Sequence, residues 1–123
     1  MIEIKKLRSL QDELKSSLSD FPKKACSFTV MNLSNDFNLK PVSGFVLTSQ
    51  GKEEHSWAED IQENMIIDLT LHQFSDYKND DFIYLPKEEA VKKYGYDESD
   101  EMTKNLEESI LSMNRHYSFR GLY

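Results

Sequence analysis

Three strand-like segments, separated by turns of only a few residues, constrain the fold of this chain more than any other feature. β-branched and aromatic residues predict strands over residues 42–49, 54–60 and 65–70. Gln50-Gly51-Lys52 and Gln62-Glu63-Asn64 lie between them, and connections this short join neighbouring strands in hairpins. The sequence therefore predicts an antiparallel sheet in the middle of the chain.

Helices are predicted on both sides of this sheet. Apolar residues recur every two to four positions from Ile2 to Leu18, which indicates an amphipathic helix that ends near Asp20, ahead of Pro22. The later segments are a helix over 26–37, a strand over 82–85, a helix over 86–94 and a helix over 99–113. A chain of 123 residues suits one domain. We therefore predict a single α+β domain over residues 1–123.

Charge and hydropathy exclude several classes of partner. Charged residues make up 30% of the chain and the net charge is −7, so its surface should repel phosphate backbones and we predict no nucleic-acid partner. Residues 1–20 are charged throughout, and no segment approaches the roughly 20 apolar residues of a membrane span. We expect no membrane association, and a cytoplasmic protein or one exported without an amino-terminal signal.

The single cysteine, Cys26, precludes an internal disulfide and stands at the start of a predicted helix. Unpaired N–H groups and the helix dipole favour a thiolate at such a position. His55 follows on one predicted strand and Asp68 on the next, so an imidazole could take the thiol proton while a carboxylate orients the ring. The sequence predicts a nucleophile–base–orienter triad of Cys26, His55 and Asp68.

Three motifs in order resemble the transglutaminase-like superfamily. They are F-P-K-K-A-C-S at 21–27, H-S-W-A-E at 55–59 and I-I-D-L-T-L-H-Q-F at 66–74. A group of small bacterial and phage proteins of this kind has the similar pattern F-P-x-x-x-C, H-A-W-L-E and I-I-D-I-T-x-D-Q-F. The resemblance covers residues 21–85 and implies a papain-like core, in which a helix bearing the cysteine packs on the sheet. It assigns nucleophile, base and orienter to the same three residues.

Two further residues are candidates for substrate binding or for supporting the triad. Trp57 could shield the histidine from water or belong to the hydrophobic core. Gln73 could donate to an oxyanion, order Asp68 or serve as a structural amide. We expect the backbone N–H of Cys26 to contribute to an oxyanion hole, with the side chain of Gln11 as a possible second donor.

No metal or cofactor is predicted. His72 and His116 have no cysteine or histidine neighbours at zinc spacing. The four glycines are scattered and form neither a phosphate-binding loop nor a dinucleotide fingerprint.

Three functions remain open from the sequence. The first is a cysteine-dependent acyl enzyme that acts on an amide of a protein or peptide, as a protease, a glutamine deamidase or a transglutaminase. The second is a catalytically inactive protein-binding module on the same fold, such as an inhibitor or an immunity protein. The third is a subunit that works only with a partner. Neither the substrate nor the oligomeric state follows from the sequence.

Overall fold

The computed structural model describes residues 2–121, with side chains described for residues 2–115. The helices are α1 (Ile4–Ser17), α2 (Cys26–Phe37), α3 (Lys87–Tyr94) and α4 (Asp100–Gly121). The strands are β1 (Lys40–Thr48), β2 (Gly51–Asp60), β3 (Met65–Asp68), β4 (Ile83–Pro86) and β5 (Asp97–Glu98). Two 3₁₀ turns, Leu71–Gln73 and Ser75–Tyr77, follow β3. The predicted α+β class is confirmed.

The five strands form one antiparallel sheet in the order β4-β3-β2-β1-β5. All nine residues of β1 pair with β2, from Lys40 opposite Glu59 to Thr48 opposite Gly51. β3 is only four residues long and pairs with β2 at positions 58–60. One edge of β2 is therefore not paired with β3 beyond that point, and the candidate site lies along this edge.

Hydrophobic clusters cover both faces of the sheet, because successive strand residues point to opposite sides. Trp57 and Ile66 pack with Tyr94 and Ala90 of α3 on one face. The residues next to them in the strands join leucines of α1 and α2 on the other face, including Ala58, Ile67, Leu10 and Leu33. His55 has the same parity as Trp57, so its side chain belongs to the face that α3 covers.

The predicted boundaries differ from the structure at a few ends. β3 stops at Asp68 rather than at residue 70, because the backbone N–H of Thr70 turns back to Oδ1 of Asp68 at 3.0 Å. The last helix continues to Gly121, beyond the predicted end at 113. Strand β5 was not predicted, since a two-residue strand carries no periodicity. Ser99 then caps α4, with its Oγ accepting the N–H of Met102 at 3.2 Å.

Candidate active site

Cys26 lies at the start of α2, beside the open edge of β2. Ser43 of β1 directs its backbone away from β2: its N–H donates to Oγ1 of Thr103 and its C=O accepts from the N–H of Ser99. Ser56, which is paired with Ser43, therefore directs its own N–H towards the open edge. There the N–H of Ser56 faces the half-buried Cys26 thiol and lowers its pKa. The nucleophile candidate thus occupies the position that a longer β3 would have filled.

His55 and Asp68 form a buried hydrogen-bonded pair. Nε2 of His55 lies 2.7 Å from Oδ2 of Asp68, and the two side chains are 0% and 1% exposed. A carboxylate only accepts hydrogen bonds, so Nε2 carries the hydrogen that joins them. The Cys26 thiol lies beside the same imidazole, close enough for hydrogen bonding and charge to shift the pKa of both groups. The structure therefore brings together the three residues that the sequence predicted as a triad.

Asp68 is surrounded by hydrogen-bond donors. Besides His55, the N–H and the hydroxyl of Thr70 lie 3.0 and 3.4 Å from Oδ1, and the hydroxyl of Tyr96 lies 2.7 Å from Oδ2. Burial raises the pKa of Asp68, but the charge and hydrogen bond of His55, together with the donors from Tyr96 and Thr70, more than offset this and lower the pKa. Asp68 is therefore held as a carboxylate.

The proton balance between His55 and Cys26 follows from these contacts. Burial lowers the pKa of His55, but the charge of Asp68 and the hydrogen bonds to Asp68 and Cys26 outweigh it and raise the pKa to about 9. Burial raises the pKa of Cys26, but the hydrogen bond and charge of His55 and the N–H of Ser56 bring it below the ordinary value. Both shifts favour a thiolate–imidazolium pair at neutral pH.

Aromatic rings pack around the imidazole. The ring of Trp57 stacks near His55 at 6.3 Å between centroids, and that of Phe74 meets it edge-on at 5.2 Å. Trp57 is 1% exposed, and its Nε1 donates to Oε2 of Glu59 at 3.3 Å. Trp57 therefore lies in the core behind the imidazole and does not present a surface to a substrate.

Gln73 contacts the imidazole from the other side. Its Nε2 lies 3.1 Å from Nδ1 of His55. One of the sequence-based alternatives was that Gln73 orders Asp68, but its contact is with the histidine. Gln73 is the last residue of the Leu71–Gln73 turn. The direction of a side chain in such a turn cannot be derived from a period of two or 3.6 residues.

Gln11 is not available as an oxyanion donor, which corrects that expectation. Its Nε2 donates to the backbone carbonyls of Leu69, at 3.2 Å, and of Asp81. Gln11 is 1% exposed, and these bonds hold α1 against the segments that follow β3 and precede β4. The amide is a structural group because both of its hydrogens are already used.

Tyr96, Thr70 and Ser56 contribute to the site but were not identified from the sequence. Thr70 could have been recognised, because the side chain of an Asp at the end of a strand often accepts the N–H of the residue two positions later, in an Asx turn. Tyr96 carries no local signal, because it lies 28 residues from Asp68 along the chain. Ser56 contributes through its backbone N–H, and the type of side chain at a position does not reveal where the backbone N–H points.

Two cavities are relevant to the site. A shallow groove of about 240 Å³ includes Ser27, which follows Cys26 in the chain, but not Cys26 itself. Its lining residues are Ser27, Ser43, Ser56, Met102, Asn105, Leu106 and Ser109. A larger cavity of about 560 Å³ lies at the other end of β2, around residues 59–63. Among the described side chains, no group of three or more His, Cys, Asp or Glu residues could hold a metal ion.

Comparisons with known proteins add no neighbour. A scan against protein-family models and searches of the curated proteins and of the solved structures found no match to this chain. Membership of the transglutaminase-like superfamily, with its papain-like core, therefore stays a prediction based on the three motifs. Within residues 2–121, no helix is long and apolar enough to cross a membrane.

Proposed function

We propose that the protein is a cysteine-dependent acyl enzyme that acts on an amide of a protein or peptide. The observation that carries this proposal is the 2.7 Å hydrogen bond between Asp68 and His55, with the Cys26 thiol beside the same imidazole and close enough for each group to shift the pKa of the other. Its carboxylate and imidazole are buried, while its thiol is half-buried at the start of a helix. A nucleophile, a base and a group that orients the base are the parts that acyl transfer requires.

The first half of the reaction would use the thiolate–imidazolium pair. The Cys26 sulfur attacks the carbonyl carbon of the amide, and a C–S bond forms. The C–N bond then breaks, and the leaving nitrogen takes the proton from Nδ1 of His55, because Nε2 is held by Asp68. The products of this half are a free amine or ammonia and an acyl thioester on Cys26.

The second half would need the neutral imidazole. Water, or an acceptor amine, loses a proton to Nδ1 of His55 while its oxygen or nitrogen attacks the thioester carbon. The C–S bond breaks, and Cys26 and His55 return to the starting ion pair. Protease, deamidase and transglutaminase chemistry share these steps and differ in the leaving and attacking groups.

Negative charge that develops on the carbonyl oxygen would face the start of α2. Cys26 is the first residue of this helix, so its N–H has no partner within the helix. A helix N-terminus stabilises negative charge through such N–H groups and through its dipole. The backbone N–H of Cys26, which the sequence suggested as part of an oxyanion hole, is therefore the donor that we propose for this charge.

An inactive protein-binding module is the second candidate, and the size of the grooves favours it. The groove at Ser27 and Ser56 is about 240 Å³, less than half of the 560 Å³ cavity at the other end of β2, and Cys26 lines neither of them. Small-molecule sites are typically about 300–1,000 Å³, so this groove is smaller than a typical binding site. In this alternative the buried Asp68–His55 pair would serve the stability of the fold.

Acylation of Cys26 tests the two candidates. Purified protein is mixed with p-nitrophenyl acetate at pH 7, and the acetyl adduct on Cys26 is followed by intact mass. We expect rapid acetylation of the wild type and at least about tenfold slower acetylation of His55→Ala, because the thiolate loses its counter-ion. His72→Ala is the matched control. Equal rates for the wild type and His55→Ala would contradict the acyl-enzyme proposal and leave the binding module.

A further inference from the structure

One nitrogen of His55 faces two different groups. Asp68 holds Nε2 at 2.7 Å, which leaves Nδ1 as the nitrogen available to the Cys26 thiol. The side-chain amide of Gln73 lies 3.1 Å from that same Nδ1. The thiol and the amide therefore share a single ring nitrogen.

The chemistry of this nitrogen changes with the proton. When Nε2–H donates to Asp68 and the ring is neutral, Nδ1 has one lone pair and accepts a hydrogen from the NH₂ group of Gln73. The contact through Nε2 of Gln73 is the one that a neutral ring accepts, whereas the imidazolium that the pKa shifts favour at neutral pH calls for the amide oxygen in its place. When the ring is an imidazolium, Nδ1 carries a hydrogen and needs acceptors, which the Cys26 thiolate and the amide oxygen can both supply.

An amide suits both states without a change of charge. It is a donor at its nitrogen and an acceptor at its oxygen, and a half-turn about the Cγ–Cδ bond exchanges the two. Gln73 is only partly buried, and the turn exchanges an oxygen for an NH₂ group of similar size. Glutamate could serve only the protonated ring, and leucine could serve neither state.

Building on the proposed function, we propose that Gln73 is a positioning residue whose amide turns over as Nδ1 of His55 gains and loses its proton. It donates to the neutral imidazole and accepts from the imidazolium, which keeps the ring pointed at Cys26 throughout the reaction. The need is greatest at the thioester stage, because the sulfur is then acylated and no longer holds the ring.

The local backbone supports this role. Thr70 bonds Asp68 through its N–H, and the C=O of Thr70 accepts the N–H of Gln73 at 3.1 Å. One short segment, residues 68–73, therefore contacts both ring nitrogens of His55, at one end through the carboxylate and at the other through the amide. A segment tied together in this way fixes the distance between the two contacts.

The first test measures protonation by ¹⁵N NMR of protein labelled at its three histidines. Nδ1 and Nε2 of His55 are followed over pH 5–11 in the wild type, Gln73→Glu and Gln73→Leu. Gln62→Glu and Gln62→Leu are the matched controls, since Gln62 is exposed in the turn between β2 and β3. We expect Gln73→Glu to raise the pH at which Nδ1 loses its proton by about 1, because a carboxylate accepts only from the protonated ring. The Gln62 variants should match the wild type.

The second test measures the two halves of the reaction with p-nitrophenyl acetate. Gln73→Leu should slow the loss of acetyl from Cys26 about tenfold more than it slows acetyl formation, since the thioester stage depends on the amide. Gln73→Glu should also slow deacylation, because it holds the ring in the protonated form. A merely structural Gln73 would change both halves equally.

Two results would overturn the inference. One is an Nδ1 midpoint in Gln73→Glu equal to that in Gln62→Glu, and the other is an unchanged ratio of acylation to deacylation in Gln73→Leu. The NMR measurement needs no turnover. A wild type that forms no acetyl adduct would end the proposed enzymatic function, while the Nδ1 midpoints would still decide whether Gln73 controls the imidazole.

Discussion

Tyr96 donates its hydroxyl hydrogen at 2.7 Å to Oδ2 of Asp68, the same oxygen that accepts from Nε2 of His55. Tyr96 and Asp68 are almost fully buried, at 4% and 1% exposure. Burial, followed by the charge and hydrogen bond of Asp68, raises the pKa of Tyr96 well above its ordinary value, so the phenol remains a donor. Tyr96 thus ties the segment before α4 to the centre of the candidate site.

Tyr96→Phe should destabilise the fold by about 1.5–3 kcal/mol, the usual contribution of a hydrogen bond to a charged group. Tyr84→Phe is the control, because the buried hydroxyl of Tyr84 has no hydrogen-bond partner in the described part of the chain. That change should be close to neutral. Urea denaturation at pH 7 measures both, and equal losses in the two variants would show that the Asp68 contact contributes nothing.

Asp68→Asn should affect both stability and reactivity. Asn cannot accept from His55, Tyr96 and Thr70 together, so we expect a loss of about 1–3 kcal/mol. The orientation of the ring and its positive charge would also be lost, and alkylation of Cys26 should slow at least about tenfold at pH 7. The measurements are the melting temperature and the rate of iodoacetamide alkylation.

Glu59→Gln provides the control for Asp68→Asn. Glu59 is another buried carboxylate of the sheet, and it bonds Trp57 and Lys87. We expect a comparable loss of stability with an unchanged alkylation rate. If Asp68→Asn behaved in the same way as Glu59→Gln, Asp68 would be a structural residue and the binding-module alternative would gain support.

The contribution of His55 to the free energy of unfolding should fall as the pH rises from about 6.5 to about 9, because folding raises its pKa from 6.5 to about 9. In the wild type Cys26 opposes this slope, since the lowered pKa of its thiol means that folding releases a proton there. The test is therefore made in Cys26→Ser, whose hydroxyl does not titrate in this range. Its stability from the charged His55–Asp68 pair should be fully present below pH 6.5 and lost as the pH rises towards 9, by no more than about 3 kcal/mol. Urea midpoints at pH 6, 7, 8 and 9 measure this, and a Cys26→Ser profile as flat as that of the Cys26→Ser, His55→Ala double variant would contradict it.

Native Cys26 should react with iodoacetamide at pH 7 faster than a model thiol of pKa about 8.5. The contacts with His55 and Ser56 lower its pKa against the opposing effect of burial, so more thiolate is present. The pH profile of the alkylation rate gives the pKa of Cys26 directly. A midpoint at or above that of the model thiol would mean that the imidazole does not activate Cys26.

Gly44→Ala should disrupt the contact between β1 and β5. A Cβ at this position would lie 2.1 Å from the backbone oxygen of Asp97, which no side-chain adjustment can relieve. Because Asp97 directly follows Tyr96, we expect both a loss of more than about 2 kcal/mol and a weaker Tyr96–Asp68 bond. Gly51→Ala meets no atom within 4 Å and should cost only about 1 kcal/mol, from its positive φ. Similar losses in the two variants would contradict the clash.

Much of the secondary structure could be predicted because its causes are local. The helix Cys26–Phe37 was predicted with the bounds that the structure has, since an apolar face continues as far as the Asn-Asp-Phe-Asn stretch. The hairpins followed from short turns between β-branched segments. These patterns also placed Cys26 at a helix start and put His55 and Asp68 on neighbouring strands.

The tertiary structure decided what these side chains meet. The register set Ser56 opposite Ser43, and the early end of β3 left the β2 edge open for Cys26. Gln73 reached Nδ1 of His55 because of a 3₁₀ turn, and Tyr96 reached Asp68 across 28 residues of chain. Short-range patterns determined the elements and the order of the chemical groups. Contacts between residues far apart in sequence depend on how the elements pack, which no local periodicity encodes.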